Sequence, residues 1–242
     1  MLTGESSGEI QRSPGVCEAA APWLRLSIAT ALIAFAGSVV SLATPSIYAH
    51  LTPVFLPQAI AQDFANLAVA SPALFVLALF AMRGSIRACL LWLGVLTFTV
   101  YNYVIYTFSI PFGPLFLVWV AVLGSSLFAL IGGVVSLDAA AIAKSFTNRR
   151  AVRVVAWSLI VIAILFGFLW LSEDVPALLG GVTPQSVQDM ALPTNPVHIL
   201  DLAFFLPSVM IAGIQLLRQR PFAFSVAPAF LVFLLLTAVP IL

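Results

Sequence analysis

Charge is what this chain has least of. Only 8% of its 242 residues are Asp, Glu, Lys or Arg, against roughly 25% in a soluble domain. With 62% hydrophobic residues and a mean hydropathy of +1.13, a water-soluble globular fold is excluded. A net charge of +1 offers no basic face, so no nucleic-acid partner is expected. Cysteine is nearly absent. Cys17 falls in a polar stretch and Cys89 in a hydrophobic one, which supports neither a disulfide framework nor a CxxC redox pair. Histidine is limited to His50 and His198. A catalytic zinc needs three protein ligands and an open position, so no metal site is assigned. Haem between the two His would rest on their number alone, and no cofactor is assigned. GxSxG, P-loop and strand–helix GxGxxG patterns are missing too.

What is present is length without charge. A bilayer crossing takes about 20 mostly apolar residues, and seven segments qualify: about 26–43, 63–82, 88–109, 112–136, 154–172, 198–217 and 222–241. The fold class expected is all-α, a polytopic transmembrane bundle of about seven spans in a single domain over 22–242. Residues 1–21 read as a polar, disordered tail. The basic residues fall in four clusters: Arg12 and Arg25; Arg83 and Arg87; Lys144, Arg149, Arg150 and Arg153; Arg218 and Arg220. Positive charge at alternate connections marks the cytoplasmic side, which gives N-terminus in and C-terminus out.

A constant shift lays the second span on the sixth. Asp63-x-x-Asn66-Leu67-Ala68 falls on His198-x-x-Asp201-Leu202-Ala203, Pro72 on Pro207 and Arg83 on Arg218. Both spans cross in the same direction, so a duplication would be a parallel 3+1+3 repeat with the fourth span as linker, one of the transporter plans. Chance is the competing account, because Leu and Ala matches cost little in so hydrophobic a chain.

Polar groups inside spans are expensive and tend to be functional. Counting about 1.5 Å per residue from the inner Arg of each helix, Asn66 and Asp201 lie about 26 Å away, Asp63 and His198 about 30 Å, and Asn102 about 22 Å. These five share one level in the outer third of the membrane. Gln62, Asp63 and Asn66 share a helix face, as do His198 and Asp201, and Asn102 and Tyr106. The expected site is an outward polar pocket of Gln62, Asp63, Asn66, Asn102, Tyr106, His198 and Asp201, roofed by the connection carrying Tyr48 and His50, with the two i, i+3 faces opposed. The plainer accounts are specific. Asp63 and His198 could be interfacial helix starts, Asp201 and Asn102 interhelical hydrogen-bonders, and Tyr101, Tyr103 and Tyr106 an aromatic belt.

The strings Gln62-Asp63…Asn66-Leu67, Arg83-Gly84-Ser85, Leu90-Leu91-Trp92, Tyr101-Asn102-Tyr103 and Asn195-Pro196-Val197-His198…Leu200-Asp201-Leu202-Ala203-Phe204-Phe205-Leu206-Pro207 resemble a group of bacterial polytopic membrane proteins of unassigned function. The resemblance implies a cytoplasmic (inner) membrane location and no activity. The 3+1+3 outline is also similar to sugar transporters of the SWEET type, but with opposite orientation. Seven-helix ceramidases need more His, and a retinal protein needs a Lys in the last span. The functional expectation is binding or transport of a small solute or cation, with the lipid bilayer as the other partner. The alternatives are an outer-leaflet enzyme on a lipid or lipid-linked substrate, and an accessory or sensor subunit.

Overall fold

Seven helices long and apolar enough to cross a membrane form the structure, a computed structural model that describes residues 17–238. They are α1 (Glu18–Ala43), α2 (Phe55–Met82), α3 (Ile86–Ser109), α4 (Phe116–Val135), α5 (Arg149–Gly180), α6 (Pro196–Leu217) and α7 (Pro221–Ala238). Among the described residues there is no strand. The chain is a multi-pass membrane protein. The disordered tail expected over 1–21 lies, up to residue 16, outside the described residues; Glu18–Ala20 already form a helical turn.

Helix starts follow side-chain capping. Ser85, Asp138, Asn148 and Asn195 each accept backbone N–H groups of the turn they open, satisfying donors that a helix leaves orphaned. Two boundaries differ from expectation. α2 begins eight residues before Asp63, so Asp63 is neither a helix start nor a cap. α5 runs past Ser172 through Pro176 to Gly180 and ends on left-handed Gly181. Its 32 residues span about 48 Å, well beyond a hydrocarbon core of about 30 Å. Pro176 removes only one N–H near the helix end, so the helix survives it.

α2 and α6 share an irregularity. Each opens into one π turn, at Asn66–Ala70 and at Asp201–Phe205. The Ser71 N–H donates to the Asn66 carbonyl, and the Leu206 N–H to the Asp201 carbonyl. Pro72 and Pro207 follow directly. A proline ring collides with the carbonyl four residues back, and the wider turn makes room for it. Both helices then run twelve regular residues, Ser71–Met82 and Leu206–Leu217, and both stop at a left-handed residue, Gly84 or Gln219.

Helices α1–α3 pack as neighbours, and so do α5–α7; α3 lies along α7 at the joint. α4 covers α1 and α3, while a short helix, Ala139–Lys144, covers α7. α3 is consequently the most buried span and α5 the most exposed. At the joint, a methyl added to Gly94 would lie 2.7 Å from the Ala229 carbonyl oxygen, so only glycine allows this approach. Cys17, expected in a polar tail, is buried with its thiol against that of Cys89. The first helical turn carries it into the core at the basic end of α3.

Candidate functional site

The polar residues expected to share one pocket divide into two clusters. The first surrounds Asp63, which is 2% exposed. Its Oδ1 accepts from Ser38 Oγ at 3.0 Å and Tyr106 Oη at 3.0 Å. Its Oδ2 accepts from Tyr48 Oη at 2.6 Å and from Ser41 Oγ. A carboxylate has about four acceptor positions, and all are taken by hydroxyls from α1, α3 and the connection after α1. Tyr48, on the connection expected to roof a pocket, instead bonds directly to Asp63. Burial, and then the nearby Asp63 charge, push the Tyr48 hydroxyl well above its ordinary pKa, so it stays a donor. One turn deeper, Asn102 Nδ2 donates to Asn66 Oδ1 at 3.0 Å. Asn66 Nδ2 and Gln62 Nε2 find no partner among the described residues.

The second cluster joins α5 to α6. His198 Nδ1 stands 2.9 Å from Asp174 Oδ1, and its Nε2 is 3.9 Å from Glu173 Oε2. The imidazole packs against Trp170 with ring centroids 4.5 Å apart and the planes tilted by 30°. Trp170 Nε1 donates to Asp201 Oδ2 at 2.9 Å, and the Tyr101 hydroxyl reaches Asp201 from α3. Trp170, Glu173 and Asp174 are spaced i, i+3, i+4, and His198 and Asp201 i, i+3. One face of each helix therefore meets the other.

The opposition expected between the Asp63/Asn66 and His198/Asp201 faces is not made. Each face bonds mainly within its own three-helix group, and Tyr101 is the link across. Tyr101, Tyr103 and Tyr106 are buried rather than an aromatic belt, because their hydroxyls serve the interior, Tyr106 on Asp63 and Tyr101 on Asp201. Asn195, not His198, caps α6. Sequence reasoning missed Trp170, Glu173 and Asp174. Their i, i+3, i+4 spacing is a signal that would have found them, had the helix not been ended at Ser172.

A cavity of about 790 Å³ opens beside the second cluster. Asp174, Asn195 and His198 supply its polar wall, and Leu178, Val187 and Leu202 part of its apolar one. The overhang of α5 and the connection 181–195 form one side of it, and it is widely open. The side chains of Glu173 and Asp174 are about one-third exposed, in contrast to sealed Asp63. Among the described residues no group of three His, Cys, Asp or Glu is placed to hold a metal ion. No family model matches the chain, and no curated protein or solved structure matches it either.

Proposed function

We propose that the protein binds a small solute or cation in the cavity between α5, α6 and the 181–195 connection, on the outer side of a cytoplasmic membrane. The carrying observation is the His198–Asp174 pair, at 2.9 Å, in the wall of a cavity of about 790 Å³. That volume is within the range of about 300–1,000 Å³ that small ligands use. Glu173, Asp174 and Asp201 around a single imidazole favour a positively charged group, and the apolar wall favours an organic body on it. Only one Asp174 oxygen is engaged. Asp201, held by Trp170 and Tyr101, adds negative potential from behind. Gln62, Asp63, Asn66, Asn102 and Tyr106 support the fold of the other half. The N-in, C-out orientation rests on the basic residues at the ends of α2, α5 and α6.

The same reading takes α1–α3 and α5–α7 as parallel repeats. One shift of 135 residues, from 66 to 201, superposes the π turns, the prolines, the twelve-residue segments, the left-handed residues and the starts of α3 and α7. It also pairs Gly94 with Ala229, the residue it touches. Counterparts touch where they lie at a two-fold axis, so this contact supports such a relation. Binding ranks before transport here, because the inner halves of α2, α3 and α6 are almost wholly apolar.

The test is equilibrium binding and liposome uptake across a panel of organic and inorganic cations and neutral solutes. At least one solute is expected to bind wild type, and to bind Asp174→Asn and Asp201→Asn about tenfold or more weakly, the scale of one charge-assisted hydrogen bond. Identical behaviour of all three proteins toward every solute overturns the reading. An enzymatic reading draws on one observation, the imidazole oriented by a carboxylate at Nδ1, as a general base would be. Product release from a lipid substrate, lost in His198→Gln, would favour it.

A further inference from the structure

A second cavity, of about 400 Å³, lies within the membrane between α3, α4, α6 and α7. Its wall is Phe204, Ser208, Ile211 and Gln215 on α6, with Leu93, Thr97, Leu130, Val134 and Phe222–Phe230 positions opposite. From Phe204 to Gln215 the groove follows α6 for about 16 Å at 1.5 Å per residue. That is half of a hydrocarbon core of about 30 Å, the depth of one leaflet. Phe204, Ile211 and Phe222 are strongly exposed along it, so the groove is open to the side.

Its end is chemically different from its length. Gln215 and Phe222 flank the turn between α6 and α7, which carries Arg218 and Arg220. The Arg220 backbone N–H donates to the Gln215 carbonyl at 3.0 Å, which sets this turn against the end of the groove that Gln215 lines. Among the described residues the ion pairs all involve His198, so Arg218 and Arg220 have no carboxylate partner. An apolar slot one leaflet deep, continued by a turn whose two arginines have no carboxylate partner among the described residues, matches an amphiphile with an acyl chain and an anionic head.

We infer that this groove is a binding site for an anionic phospholipid of the leaflet on the basic side of the membrane. The acyl chain lies against Ile211 and Phe204. The phosphate meets Arg218 and Arg220, whose guanidinium groups favour phosphate. The site is independent of the outer cavity.

The experiment is thermal unfolding of detergent-solubilised protein with added phosphatidylglycerol or phosphatidylcholine of the same chains. Phosphatidylglycerol at about a hundredfold excess over its Kd is expected to raise the wild-type Tm by about 5–10 °C, and phosphatidylcholine by clearly less. Arg218→Gln with Arg220→Gln removes the difference between the lipids. Ser208→Trp, an exposed position that fills the slot, removes the response to both. Arg25→Gln with Arg83→Gln deletes the same charge elsewhere and keeps the wild-type response. The inference is overturned by an unchanged response in Arg218→Gln/Arg220→Gln or in Ser208→Trp. It is equally overturned if the Arg25/Arg83 control loses as much, since that marks a diffuse charge effect.

Discussion

Asp63 and His198 stand at the same distance in sequence from an arginine that ends their helix, and both are buried, yet hydroxyls close around one while the other borders a cavity beside a partly exposed carboxylate. The difference lies above them. α2 begins eight residues before Asp63, and the connection from α1 folds Tyr48 over it. α6 begins two residues before His198, and the overhang of α5 leaves a cavity instead of a lid. Two helices with the same π turn and proline thus give an occupied carboxylate on one side and, on the other, a buried imidazole paired with a carboxylate about one-third exposed. Around Asp63 every carboxylate acceptor position is occupied, whereas only one oxygen of Asp174 is engaged.

The largest expected effect breaks the sealed side. Asp63→Ala removes the carboxylate from four buried hydroxyls; Ser41 and Tyr106 keep the Ser38 and Ala59 carbonyls in reach, so two donors, Ser38 and Tyr48, are stranded at about 1–3 kcal/mol each, and the change should cost about 2–5 kcal/mol. Thermal unfolding in detergent measures it, and solute binding by the folded fraction should persist. Next comes the joint between the halves. Gly94→Leu and Ala229→Leu should each lose about 1–3 kcal/mol by overpacking. Similar losses sharpen the two-fold account, and a loss at only one position breaks it.

Asp201→Asn keeps an oxygen for Trp170 and Tyr101, so its stability cost should be about 1 kcal/mol or less, while binding weakens. That is the reverse of the Asp63 pattern, and a double comparison of Tm and affinity checks it. The smallest effect is alkaline. The raised pKa of Tyr48 means its contribution is complete below the unfolded value of about 10 and is lost as pH climbs through that value toward the folded one. The Tm gap between wild type and Tyr48→Phe should therefore narrow above pH 10.

Hydropathy made the seven spans legible, because apolar length is a direct consequence of bilayer thickness. The equal spacing of Pro72 and Pro207 from Arg83 and Arg218 made the twin irregularity of α2 and α6 legible. Two things were not. Tyr48 and Tyr106 could be named from the sequence as neighbours of Asp63, but its other two partners, Ser38 and Ser41, look like ordinary residues of a span. Glu173, Asp174 and Pro176 look like the end of a helix, since charge and proline both argue for one. Only the packing of α5 against α6 turns that stretch into half of a site. Cys17 and Cys89 meet for a similar reason, as local composition does not report what a helical turn packs against.

The most direct measurement is water access to the two clusters. Ser38→Cys places a thiol beside Asp63, and Asp174→Cys places one beside His198, each in protein with Cys17 and Cys89 replaced by Ala. A membrane-impermeant, positively charged methanethiosulfonate is applied to the outer face of proteoliposomes of fixed orientation. The account predicts that Asp174→Cys reacts at least an order of magnitude faster than Ser38→Cys. Equal rates, or faster labelling at Ser38→Cys, would contradict it.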